Sequence, residues 1–131
     1  MRATQAWLWL NAVVFLLLGA HGLLDPVEHM RVFDVVLLGP SILAEMRAMY
    51  GGAHLALGLL FAWGAMRAAW TRPALVTLTL FVGGLAFGRA LALAGPMPNR
   101  AVLAFLAIEA FATAVGLVLL MRKPAPAGSL P

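Results

Sequence analysis

The sequence predicts an all-α protein: a four-transmembrane-helix bundle with a short interfacial helix between spans one and two. Three observations carry that reading. The chain has 131 residues, of which 63% are hydrophobic and only 11% charged, and its mean hydropathy is +0.96. A soluble domain of this size could not cover so much apolar surface with so few charges. The apolar residues gather into long runs, each close to the ~20 residues that a helix needs to cross a hydrocarbon core. Between the runs stand Asp25-Pro26, Gly39-Pro40, Arg67 to Pro73 and Gly95 to Arg100, rich in helix breakers and turn formers.

Residues Ala6 to Leu24 carry no formal charge and form the first span. A cleaved signal peptide competes with that reading, since Arg2 supplies a basic start and Leu18-Gly19-Ala20 a candidate cleavage region, but the run exceeds a usual signal core. Asn11, Phe15, Leu18 and Gly22 share a helical face that is expected to turn inward. Asp25-Pro26 then ends the span. From Val27 to Leu38, Val27, Met30, Phe33 and Leu37 recur at helical spacing with Glu28, Arg31 and Asp34 elsewhere. That pattern suits a short helix lying in the interface and is too polar to span. Gly39-Pro40 closes it, and Ser41 is the expected cap of the next helix.

The second span is expected over Ile42 to Met66, the third over Ala74 to Ala94 and the fourth over Ala101 to Met121, with Arg67 to Pro73 a polar loop. Gly84 and Gly88 form a Gly-xxx-Gly pair. With Gly51 and Gly58 they are expected to admit close backbone approach among spans two, three and four. One membrane domain thus covers residues 1–121. The stretch Arg122 to Pro131, with three prolines, is expected to be a disordered tail.

Four spans place both termini on one side. That side carries Arg2, Arg67, Arg72, Arg122 and Lys123, whereas the opposite loops hold Arg31 and Arg100. The positive-inside rule therefore predicts cytoplasmic termini. Trp7, Trp9, Trp63 and Trp70 fall near the same interface, where indole rings settle. The net charge is +4, but the bases scatter singly and form no nucleic-acid patch. There is no cysteine, which excludes disulfides, thiolate metal sites and thiol redox chemistry.

The polar residues inside the spans are the candidates for function, because an ionisable group at membrane depth is costly unless paired or hydrated. Arg47, Tyr50, Gly51, His54 and Gly58 share one face of span two, and Phe105, Glu109, Ala112, Thr113 and Gly116 one face of span four. These two faces are expected to meet. Arg89 lies roughly 8 to 9 Å in from Gly95, and Glu109 roughly 13 to 14 Å in from Arg100, a difference an arginine side chain can bridge. Arg47, Tyr50, His54, Arg89 and Glu109 are therefore the candidate ligand-binding set. Glu45 points away from Arg47 and complements the helix N-terminus. No cofactor is expected. His21 and His54 are offset by roughly 13 Å along the membrane normal, poor geometry for a haem iron. The three histidines are scattered, with no tight metal-binding cluster.

The string Glu45-x-Arg47-Ala48-x-Tyr50-Gly51-Gly52, followed by Gly83-Gly84, Gly88-Arg89 and then Glu109 in the fourth span, resembles a bacterial family of small four-helix integral membrane proteins known as a domain of unknown function, four-three-four-five. The resemblance covers nearly the whole chain. It implies a four-span fold and a shared role for Arg47, Tyr50, Gly51, Gly52, Arg89 and Glu109, and the expected location is a bacterial inner membrane, crossed four times with both termini in the cytoplasm. It brings no activity and no cofactor.

Three functions follow from different classes. The first is a membrane protein binding a small anionic or lipid-like ligand, with Arg47 and Arg89 as cationic groups, Glu109 as counter-ion, and Tyr50 and His54 as polar contacts. Transport by so small a chain would require a homo-oligomer. The second is an accessory subunit, whose charges only fix helix packing or dock it to a larger membrane complex. The third is a membrane enzyme using His54, Glu109 and Tyr50 in acid–base chemistry. No nucleophile triad or metal-ligand spacing supports the third.

Overall fold

The computed structural model describes residues 3–37 and 39–122. Its helices are α1 (Ala3–Leu24), α2 (Pro26–Arg31), α3 (Pro40–Met66), α4 (Ala68–Ala92) and α5 (Arg100–Met121). Of these, α1, α3, α4 and α5 are long and apolar enough to cross a membrane. The chain is thus an all-α bundle of four membrane helices with a short helix between the first two. Arg2, Lys123 and the expected tail beyond Arg122 lie outside the described residues.

Local chemistry moves several boundaries. The second membrane helix begins at Pro40, not after a Ser41 cap. Gly39 takes the cap position at φ 87°, and proline occupies the first turn, where its missing amide costs nothing. The helix expected over Val27 to Leu38 stops at Arg31, because the chain tightens into turns closed by Phe33 N–H to Met30 O and Asp34 N–H to Arg31 O. Asp34 then enters the left-handed region at φ 58°. The polar loop expected over Arg67 to Pro73 shrinks to Arg67 alone, extended at φ −116° and ψ 113°. Pro73 lies inside α4, near its start, as membrane helices permit.

Neighbours in sequence are neighbours in space: α1 packs on α3, α3 on α4 and α4 on α5. The core joins Leu8, Ala12 and Phe15 of α1, Phe61 and Ala65 of α3, and Ala74, Leu75, Leu78 and Val82 of α4. It sits toward the end of the bundle that carries the termini. Phe15 is its hinge point with the polar end, meeting Phe61 at 5.1 Å and Phe81 at 5.8 Å edge to face. Asn11, Phe15 and Gly22 are buried, as their shared face requires. Asn11 satisfies its amide by donating to Trp7 O at 2.8 Å.

Small residues set the helix contacts, though not all at the expected places. Gly19 and Gly22 of α1 lie against the backbone of Leu55 and Tyr50, and Gly51 and Gly58 of α3 lie against Leu23 and Leu16 of α1. Gly83 meets Thr113 and Gly116 meets Thr79 where α4 and α5 join. Gly84 and Gly88, by contrast, face open space: a methyl there would meet nothing within 4 Å. The face of α4 that meets α5 runs through Thr79 and Gly83, and one further residue turns the chain by about 100°. The faces of spans two and four do not meet either. The first packs on α1 and the second on α4.

Candidate functional site

The polar end opposite the termini is built by a reversal and a widened turn. At the reversal, the Asp25 carboxylate accepts from Glu28 N–H at 3.0 Å and Pro26 starts α2, so the chain doubles back at once from α1. His29 is thereby returned beside His21, with the two Nδ1 atoms 3.2 Å apart. His29 is only 8% exposed, whereas His21 is open. Burial lowers the His29 pKa from its ordinary value, and the neighbouring His21 and His54 lower it further. The His29 imidazole is therefore neutral near neutral pH.

The widened turn is π-helical and spans Arg47–Gly52 within α3. Such turns insert an extra residue into an α-helix and recur at functional sites. Here the bulge is seated on α1, since Gly22 brings that helix onto the Tyr50 carbonyl and Gly51 accepts the Leu23 side chain. Tyr50 from this turn and His54 from the α-helical turn after it enter a stack of rings. The Tyr50 ring lies 5.6 Å from His29 and 5.8 Å from His54, and His54 stacks on Phe15 at 5.3 Å. His54 Nδ1 is 2.9 Å from Met49 O. A carbonyl only accepts, so Nδ1 carries the proton and Nε2 of the neutral ring is an acceptor. Arg47 donates from Nε to Leu23 O at 3.2 Å, and its terminal guanidinium nitrogens make no hydrogen bond among the described residues.

Arg89 and Glu109 form a second cluster. Arg89 Nη1 donates to Glu109 Oε1, joining α4 to α5. The guanidinium lies over Phe33 at 5.8 Å and Phe105 at 5.5 Å, whose own rings are 5.3 Å apart. Glu109 is 8% exposed, and its Oε2 is buried with no hydrogen-bond partner among the described residues. Asn99 holds Phe33 in place. Its Oδ1 caps α5 by accepting from Val102 N–H at 3.0 Å, while Nδ2 donates to Asp34 Oδ2 at 2.6 Å and Val32 O at 3.1 Å.

The candidate ligand-binding residues thus fall into two groups. Tyr50 and His54 gather with His29 and His21 beside the turn that also carries Arg47, while Arg89 and Glu109 pair with each other and with two phenyl rings. Glu45 is exposed. Sequence reasoning missed His29, Phe33 and Asn99. The signal for His29 was present: Asp25-Pro26 between His21 and His29 dictates a tight reversal that folds one histidine back on the other. Phe33 and Asn99 act through contacts distant in sequence, which no local pattern displays.

A family model described as a domain of unknown function, DUF4345, matches residues 3–120. No curated protein and no solved structure matches the chain.

Proposed function

The chain belongs to the DUF4345 family, a domain of unknown function, and on that premise we propose that it is a multi-pass membrane protein binding a small anionic or lipid-like ligand at the polar end of the bundle. Arg47 is the anchor. One observation carries this reading: Arg47 stands exposed on a π-helical turn with only its Nε engaged, on the same stretch of α3 that carries Tyr50 and His54. A guanidinium in a partly apolar setting attracts a carboxylate, sulfate or phosphate head, and its planar fork suits two-point contact. Tyr50 supplies a hydroxyl donor and His54 Nε2 an acceptor for a protonated or hydroxylated part of the same head. Apolar flanks on α1 and α3 would receive a tail, if the ligand has one.

Arg89 has a different part in this scheme. Glu109 already neutralises it, so it contributes positive potential at most and mainly locks α4 to α5. That pair also favours the second reading, an accessory subunit whose charges only fix packing. The readings separate in one experiment. Protein purified in a zwitterionic detergent is titrated with inorganic phosphate and, separately, with phosphatidylglycerol, while its melting temperature is followed. Binding at Arg47 predicts a saturable rise that Arg47→Gln abolishes and Arg89→Lys largely retains. Equal responses of wild type and Arg47→Gln would leave the accessory reading. A rise with the lipid but not with phosphate identifies a lipid-like ligand.

A further inference from the structure

The histidine pair borders the Tyr50–His54 stack and calls for its own account. Two imidazole nitrogens bound to one tetrahedral ion at ~2.05 Å lie about 3.3 Å from each other. His21 Nδ1 and His29 Nδ1 are 3.2 Å apart. The same atoms facing each other at this spacing suit a shared proton or a shared ion.

We propose that His21 and His29 form a two-histidine site for a divalent transition-metal ion of the zinc class, open to exchangeable ligands. Imidazole is a preferred ligand of zinc, nickel and copper and a poor one for magnesium or calcium. His29 is preorganised: α2 holds it in the packed interior, and the Tyr50 ring lies against it at 5.6 Å. His21 is exposed and leaves the other side of the ion to solvent. Among the described residues no group of three or more His, Cys, Asp or Glu could hold a metal, so the remaining positions fall to water or an added anion. The site is therefore of the open kind, and its ligands come from α1 and α2. An ion there ties the reversal at Asp25-Pro26 shut. The inference does not depend on anion binding at Arg47.

The test uses the full chain in detergent, stripped with a chelator and then titrated with zinc chloride, with magnesium chloride as control. The wild type is expected to melt at a higher temperature with zinc, saturably, and not with magnesium. Cobalt in place of zinc should give a visible absorption band that zinc displaces. His21→Ala, at an exposed position, and His29→Ala should each weaken binding by at least about tenfold, and His54→Ala should leave it in place. If His29→Ala fails to fold, His21→Ala decides alone. A wild type that shows no zinc response up to millimolar concentration, or an unchanged response in His21→Ala, overturns the proposal and leaves the pair as a hydrogen bond only.

Discussion

At the scale of single residues, the Arg89–Glu109 pair shows how an intramembrane charge is made tolerable. The carboxylate takes one guanidinium hydrogen, and two phenyl faces cover the cation where water cannot. The compensation is asymmetric, because Glu109 Oε2 is buried without a hydrogen-bond partner among the described residues. Glu109→Gln would leave Arg89 uncompensated and is expected to destabilise the protein by about 3 to 5 kcal/mol, whereas adding Arg89→Gln should recover most of that loss. Unfolding in a denaturing detergent measures both. A Glu109→Gln variant as stable as wild type would mean the pair is not a structural clasp. Asn99 acts on the same cluster from outside the spans. Asn99→Ala removes a helix cap and the tether on Asp34 together, and is expected to cost about 1 to 2 kcal/mol and to increase proteolysis of the loop after α2.

At the scale of elements, glycine position decides which helix faces meet. A side chain at Gly22 would collide with the Tyr50 carbonyl, and one at Gly116 with Thr79. Gly22→Ala and Gly116→Ala are each expected to destabilise by about 1 to 3 kcal/mol through forced separation of helices. Gly84→Ala meets nothing and should be neutral or stabilising by up to about 1 kcal/mol, since alanine is the better helix former. A Gly84→Ala variant that loses stability or changes oligomeric state would show that this face meets another molecule. The π turn is the other decision at this scale. It rotates the start of α3 relative to the rest of that helix, which is how Arg47 reaches Leu23 O while Tyr50 and His54 stay with the rings.

At the scale of the whole molecule, sequential packing from α1 to α5 leaves a cleft between the first and last spans near the termini. Its cavity of about 610 Å³ is lined by Trp7, Leu10, Phe111, Val115 and their neighbours, with Arg122 at the rim. Trp7 meets Phe111 across it at 6.4 Å. The tryptophans at this end and the excess of arginine in its loops carry the positive-inside expectation of cytoplasmic termini. A reporter fused after Pro131 should therefore be active only in the cytoplasm, and one inserted in the Gly95 to Asn99 loop only outside it. The reverse pattern would turn the polar end of the bundle toward the cytoplasm.

Composition and periodicity alone determined the class of this protein, its four membrane helices and the inward faces of α1, because burying apolar length and hiding polar backbone in a bilayer leave few solutions. They also singled out Arg47, Arg89 and Glu109 as charges that need partners at that depth, and left open which arginine Glu109 would take. Partner choice was decided elsewhere. Periodicity puts Gly51 and Gly58 on one face of α3, and Glu109 and Gly116 on one face of α5, yet it cannot say that the first face belongs to α1 and the second to α4. Helices of nearly uniform hydrophobicity carry little directional signal, so the shape of small-residue contacts selects the neighbour. The meeting of His21 with His29 and the seating of Phe33 over Arg89 depend on how two short connectors turn. The first turn is closed locally by the Asp25 cap on Glu28 N–H, whereas the second is held by Asn99 on Asp34 and Val32, contacts that form only when the helices are already in place.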